Sequence, residues 1–494
     1  MAQPVADGRV RRVPVEFHAG RPDGGSAPAS APLTWGQRAI WSAIERTRPG
    51  DRYFNFSRTL TLPRRYDLDQ VLAAIRFVLE RHESLRTRLV AGGGDPRSAA
   101  GGAPRATSAG GEPRQLVSHD GVVEVEVVEV PAGDREAGAR VADRLTALGF
   151  DYEREWPVRI AVLVRDGVPV ELALGFCHLA ADYEGTGFLL RDLRAALAGR
   201  TAALPPAPTP SELALHQESP EGRRFAEAAA AHWARSYAAI PVSMFTEQLF
   251  APAEPRYQRM ELISPAVAAA LPSVAARLAV GSSTVLLAAA GVVLRAHTGH
   301  DTCALLAIAG NRIAPRTREI VSTMSLEALV VMPFAGVTGF DEAVRVTGRA
   351  AMAGYRFGLY DERDRDDVVA AESARRGEPV HPYACVNDLR GAGQGRGSER
   401  PAEGVRPAEL LDAAELVELS PLEQLSCRFC LHFADAPGGL SVRLTADTGF
   451  LPLPAMAGFL RQVERLVVDA YEGDVALDTL GEGTWEHPGR SLTL

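Results

Sequence analysis

The chain has 494 residues, 46% of them hydrophobic and 23% charged, with a formal charge of -9, and all 53 of its basic residues are arginine. The absence of lysine excludes Schiff-base chemistry, the phosphate lysine of a P-loop and the nucleotide lysine of a kinase. Mild acidity without a basic stripe argues against nucleic acid as a partner, and no run approaches the ~18 apolar residues of a membrane span.

The N-terminus, from Met1 to Asp7, lacks a basic segment followed by an apolar run, so no secretory signal is read there and a cytoplasmic location is expected. Stretches 19–31, 91–114 and 390–407 fill with Gly, Pro, Ala and Arg and read as loops. Between the first two, Leu68, Leu72, Ile75 and Leu79 recur at helical spacing, with Val71 and Val78 widening the stripe and Asp67 or Asp69 available as a cap. Residues 122–130 alternate Val and Glu as a half-buried strand does, and 158–164 and 170–176 read as a hairpin turning at Asp166-Gly167. A helix over 185–198 follows.

Prolines 205, 206, 208 and 210 then mark a stiff linker. The expected division is an N-terminal lobe over 1–200, a Pro-rich linker over 201–222 and a C-terminal lobe over 223–494. The second lobe begins with helices over 223–237 and 284–296 and a strand over 303–309. Strands over 328–333, 383–387, 426–433 and 440–446 and a last helix over 454–471 complete it. Helices mix with strands in both halves, which predicts an α+β protein of two comparable lobes.

Candidate chemistry concentrates in Phe176-Cys177-His178-Leu179-Ala180-Ala181-Asp182-Tyr183-Glu184-Gly185, between an apolar strand and a helix. A neutral imidazole at His178 could take a proton from an amine or alcohol; a satisfied core histidine is the alternative. Neighbours on an extended strand point to opposite sides, so His178 would activate Cys177 poorly, and Cys177 reads as a small buried apolar residue. Cys427 and Cys430 have the spacing of a metal or redox pair. In an alternating strand, however, their thiols would face opposite sides, so no metal site is expected. The five cysteines, an odd number in a long chain, suit reduced thiols better than a disulfide framework. His297 and His300 read as structural residues of a helix-to-turn junction.

Several segments together carry a family likeness. Pro32 to Trp41, Arg81-His82-Glu83-Ser84-Leu85-Arg86-Thr87-Arg88, Phe150-Asp151, Trp156 to Arg159, Cys177 to Tyr183 and Gly187 to Leu193 lie in the first half. His232-Trp233, Leu286 to Arg312 and His381 to Asn387 lie in the second. This series resembles the condensation domains of nonribosomal peptide synthetases. The resemblance implies two chloramphenicol-acetyltransferase-like lobes forming a V with a central tunnel. It implies acyl-loaded carrier proteins as partners, substrates tethered to phosphopantetheine, and no bound cofactor or metal. His178 aligns with the family's second, mechanistically important histidine, whose role is general base or positioning. Asp182 aligns with an aspartate that braces the loop against an arginine, for which Arg312 is the candidate.

The chain also departs from the family pattern. Cys177 stands where the family has its first motif histidine, and Tyr183 where it has glycine, so Tyr183 could narrow or reshape the tunnel. An aspartate marks heterocyclising relatives at the position of Cys177, which disfavours that chemistry. Segment 320–331 matches most weakly. The initial Met and short tail, with no adenylation or carrier signature, suggest a complete, free-standing condensation enzyme, monomeric. It would join a carrier-bound acyl group to an amine or alcohol acceptor. A coenzyme A acyltransferase, an epimerase-like relative and a non-catalytic recruiter of carrier-bound intermediates remain open alternatives. Arginine patches are expected where an acidic carrier docks.

Overall fold

A computed structural model describes residues 9–20, 29–90, 112–391 and 405–478, apart from 424 and 426. The three loop readings fall largely outside these residues, although Ala29–Ala31 forms a short strand. The chain divides into two compact units. One comprises Met1–Phe225 with Gly310–Ser325, the other Ala226–Ala309 with Leu326–Leu494.

The first unit contains strands β1 (Val10–His18), β2 (Ala29–Ala31), β3 (Phe56–Thr61), β4 (Thr87–Val90), β5 (Arg114–Val117), β6 (Asp120–Glu129), β7 (Val158–Arg165) and β8 (Val168–Phe176). Its helices are α1 (Trp35–Thr47), α2 (Leu68–Arg81), α3 (Ala137–Thr146), α4 (Tyr183–Leu197) and α5 (Pro210–Glu218), and α6 (Pro220–Ala239) straddles the boundary. A five-stranded sheet runs in the order β1-β6-β7-β8-β3, and a small sheet in the order β2-β5-β4. Strands β7 and β8 form the expected hairpin, with Asp166 at φ 52° and Gly167 at φ 75°, the backbone that a tight two-residue turn requires.

Helix α2 starts at a capping box in which Asp67 accepts from the Gln70 N–H and Gln70 accepts from the Asp67 N–H. It turns Val71, Ile75, Val78 and Leu79 onto the sheet, where they meet Phe17, Val125, Val162, Leu172 and Phe176. Leu68 and Leu72, expected at the centre of the stripe, are only half-buried. They pack at the margin of the same core, while Val71, Ile75, Val78 and Leu79 line its sheet side.

Residues 201–222, read as a linker, contain a capped helix. Pro210 occupies the first turn of α5, where its missing N–H costs nothing, and the Thr209 side chain accepts from the Glu212 N–H. That helix is tied to the first unit. Ser211 donates from its N–H and its hydroxyl to Glu83 at 2.8 Å each, and the Trp35 N–H donates to Gln217.

The second unit adds β9 (Tyr257–Ser264), β10 (Thr302–Ala309), β11 (Leu326–Pro333), β12 (Ala384–Asp388), β13 (Glu415–Leu422), β14 (Phe429–Ala436) and β15 (Gly439–Asp447). Its helices are α7 (Pro265–Leu278), α8 (Ser282–Thr298), α9 (Phe340–Arg356), α10 (Glu362–Arg376) and α11 (Leu453–Asp469). Its sheet runs β11-β10-β12-β14-β15-β9-β13. Helix α8 is buried without interruption from Val285 to Leu294, which explains its unbroken apolar sequence. No single helix among the described residues is long and apolar enough to cross a membrane.

The cysteines depart from expectation twice. Cys385 and Cys430 sit directly opposite each other on parallel strands β12 and β14, with Cα atoms 4.7 Å apart, and form a disulfide. Cys427 lies in a bend before β14 rather than in an alternating strand, so strand parity does not turn its sulfur away. The ligand atoms of Cys385, Cys427 and Cys430 all lie within 4.8 Å of one another.

Candidate active site

The site is built where β8 ends and α4 begins. Asp182 is the N-cap of α4 and accepts from the Gly185 N–H at 2.7 Å. The same carboxylate receives a two-pronged fork from Arg312, with Nη2 to Oδ1 at 2.6 Å and Nη1 to Oδ2 at 2.9 Å. Oδ2 also accepts from the Met324 N–H, the Ser325 N–H and the Ser325 hydroxyl, each at 2.9 Å. Burial alone would raise this carboxyl, but the Arg312 charge and these donors hold it below the usual carboxylate range. Asp182 therefore stays ionised and holds the Gly310–Ser325 segment onto the head of α4.

Arg312 stitches the other side of that segment, donating to the carbonyls of Gly310 at 3.1 Å and Ser322 at 3.0 Å. Gly185 is required by this packing: a Cβ there would stand 2.9 Å from Arg312 Nη2 and 3.1 Å from Asp182 Oδ1. Gly36 in α1 is required in the same way, because its Cβ would collide with the Thr323 carbonyl.

His178 is half-buried four residues before Asp182. Its ring lies 5.5 Å from Phe56, which stacks on Phe176. The Thr323 hydroxyl donates to the His178 carbonyl. The same hydroxyl oxygen stands 3.3 Å from His178 Nδ1, so Thr323 contacts both the backbone and the ring of His178. Desolvation lowers the imidazole pKa, with the Asp182 charge opposing it, so the ring is neutral at neutral pH. The ring is held between Phe56 and Thr323.

The other candidates separate clearly. Cys177 is 1% exposed among Leu33, Ile44, Phe150, Tyr152 and Leu179, and burial pushes its thiol up to about 12, so it is no nucleophile at neutral pH. Tyr183 is 38% exposed and begins α4 with ordinary helical backbone, so glycine is not needed there for conformation. The Arg58 guanidinium lies 4.0 Å over its ring and donates to the Tyr183 carbonyl and the Thr186 hydroxyl, both at 3.1 Å. Sequence reasoning missed Arg58, Thr323 and Ser325. The hydroxyl-rich run Ser322-Thr323-Met324-Ser325 was the available signal, inside the segment with the weakest family match.

Comparison with known proteins then assigns the chain. Residues 29–324 match the family model described as "Condensation domain". The chain belongs to the condensation-domain family. Members of this family act on carrier-tethered substrates. A relative in Pseudomonas aeruginosa, the AMB antimetabolite synthetase AmbB, is 29% identical over 298 residues, which are 58% of this chain and 22% of that one. The chain spans less than a quarter of the length of the curated relatives it matches. Among solved structures it resembles the condensation domain mediating chain release from the enacyloxin polyketide synthase. The TM-score is 0.67 at 16% identity, covering 92% of this chain and 85% of that one. It also resembles SgcC5 of Streptomyces globisporus, solved with a naphthyl ethanediol, with a TM-score of 0.63 at 17% identity over 89% and 98% of the two chains. These likenesses establish a condensation-domain fold of mixed α+β character.

Proposed function

We propose that this protein is a free-standing condensation enzyme of natural-product biosynthesis. It transfers an acyl group from a carrier-bound phosphopantetheine thioester to an amine or alcohol acceptor. One observation carries the reading: a neutral imidazole held between Phe56 and Thr323 where β8 gives way to α4. In this reading the acceptor N–H or O–H lies against Nε2. His178 takes or orients that proton as the acceptor attacks the thioester carbonyl. The new C–N or C–O bond forms, the C–S bond breaks, and the proton leaves on the pantetheine sulfur. Asp182 and Arg312 touch no substrate in this scheme; they position the loop that carries His178. Tyr183 limits the bulk of what reaches the imidazole. The diol held by SgcC5 supports an alcohol among the acceptors.

Carrier recognition has a candidate surface in the second unit. Arg345, Arg349 and Arg356 are exposed on α9 beside Met352, which is 77% exposed. A cationic row with an apolar residue suits an acidic carrier helix on a chain that is acidic overall.

The test is acyl transfer from a loaded carrier, followed by intact carrier mass, for the wild type and His178→Ala. The expected result is turnover by the wild type and a loss of roughly 100-fold or more in the variant. Equal turnover by both would remove His178 from the chemistry. Carrier binding without any transfer by the wild type would favour a recruiter over an enzyme.

A further inference from the structure

The cluster of Cys385, Cys427 and Cys430 in the second unit plays no part in the chemistry at His178, and its geometry is specific. Three chain features converge on it. Strand register sets Cys385 against Cys430, and Ala384 against Phe429. The N–H groups of Arg428 and Phe429 both donate to the Tyr383 carbonyl, at 3.0 and 3.1 Å, which pins the bend holding Cys427 to the start of β12. Cys427 and Cys430 are only 5% and 6% exposed. Three sulfurs within 4.8 Å of one another are thus supplied by rigid, adjoining backbone.

We propose that, once the Cys385–Cys430 bond is reduced, the three cysteines bind one soft, closed-shell cation, Zn2+ or Cu+, as thiolates. Two equivalents of a small cellular thiol would open the disulfide, giving two protein thiols and one small-molecule disulfide. Binding then releases three protons and forms three metal–sulfur bonds, with no change in metal oxidation state. For metal–sulfur bonds of ~2.3 Å in tetrahedral geometry, sulfurs stand about 3.8 Å apart, inside the 4.8 Å span of the observed cluster. Thiolate ligands select these cations over oxygen-loving ones. A three-sulfur set leaves Zn2+ a fourth position for water, and is complete for trigonal Cu+.

The bend that carries Cys427 is anchored through its neighbour as well. Arg428 follows Cys427 directly and is held in place, donating to the Phe245 carbonyl and lying over the rings of Tyr383 at 4.1 Å and Phe450 at 4.2 Å.

The experiment uses the full chain, reduced and kept free of oxygen, and titrated separately with Zn2+, Cu+ and Co2+ as a spectroscopic substitute for zinc. The expected result is one equivalent bound per chain, with a thiolate-to-cobalt charge-transfer band and three protons released. Cys427→Ser is expected to weaken binding roughly tenfold or more. Cys303→Ala, which removes a buried thiol on β10 outside the cluster, should leave it unchanged. The separate Zn2+ and Cu+ affinities decide which cation the site prefers. If the serine variant fails to fold, the wild-type band and proton count still decide the matter. Absence of bound metal while intact mass shows all thiols reduced would overturn the proposal, as would unchanged affinity in a folded Cys427→Ser.

Discussion

Helix α4 has two buried carboxylates, Asp182 at its N-cap and Asp192 three turns along, both ionised and both gripped by arginine. Their partners differ in kind. Asp192 is surrounded by side chains: Arg81 Nε at 2.7 Å, His82 Nε2 at 3.2 Å and Arg191 Nη2 at 2.8 Å. It joins the end of α2 to the middle of α4, within the Arg81-His82-Glu83 motif. Asp182 instead collects backbone N–H groups from Gly185, Met324 and Ser325 besides its arginine. A carboxylate held by side chains locks two helices together. One held by main chain fixes the path of a loop, and here that loop carries Thr323, the residue clasping His178.

Substituting each aspartate should separate these roles. Asp182→Ala strands the Arg312 guanidinium in a buried site, at a cost of about 3–5 kcal/mol, and frees the loop, so transfer should be lost even in the folded fraction. Asp192→Ala strands Arg81, but Arg191 keeps its ion pair with Glu319 at 2.9 Å, so the stability cost should fall toward the low end of that range. Its transfer per folded molecule should stay within a few-fold of wild type. Urea unfolding followed by transfer assays on the folded protein reads both quantities. Loss of transfer in Asp192→Ala beyond its loss of folded protein would erase the distinction.

The sequence carried unequal amounts of this. The hairpin at Asp166-Gly167 and the buried helix α8 were readable because turn chemistry and continuous apolarity are local. The Asp182–Arg312 pairing rested on family likeness alone, since 130 residues separate the partners. The Thr323 clasp lay beyond reach because it depends on a segment of 310–325 that folds with the first unit although its flanking strands belong to the second. Cys427 was misjudged for a local reason. Its spacing to Cys430 was read on an uninterrupted strand, whereas β14 starts only at Phe429.

Acid should probe the same two regions. Burial first, against the Asp192 charge, holds His82 below the ordinary imidazole pKa, and His178 is lowered likewise by desolvation. A histidine whose folded pKa is depressed binds its proton more readily in the unfolded chain. Stability should therefore decline as pH falls below the ordinary imidazole value, by up to about 1.4 kcal/mol per pH unit for each proton. A second decline should begin below the ordinary carboxylate range. There Asp182 and Asp192, both depressed when folded, lose the stability they supply at higher pH. His82→Gln should flatten only the first decline and leave the pH dependence of transfer alone. His178→Ala should flatten part of it and lower transfer roughly 100-fold or more. If His82→Gln shifted the transfer profile, the two ends of α4 would be coupled.

The smallest expected effect concerns Glu184, in the first turn of α4, whose Oε2 stands 3.5 Å from Arg312 Nη1. Its side chain is 47% exposed, against 2% for Asp182 and 3% for Arg312, so water screens the interaction and the Asp182 fork already satisfies the guanidinium. Desolvation also raises the Glu184 carboxyl, with Arg312 opposing, which weakens it as an anion relative to its neighbour. Glu184→Gln should therefore change stability by less than about 0.5 kcal/mol and transfer by less than about twofold. The shape of the residue is kept and only its charge removed, so urea midpoint and turnover isolate the electrostatic part. A loss approaching that of Asp182→Ala would mean that Arg312 is shared between two carboxylates, and that loop position depends on both.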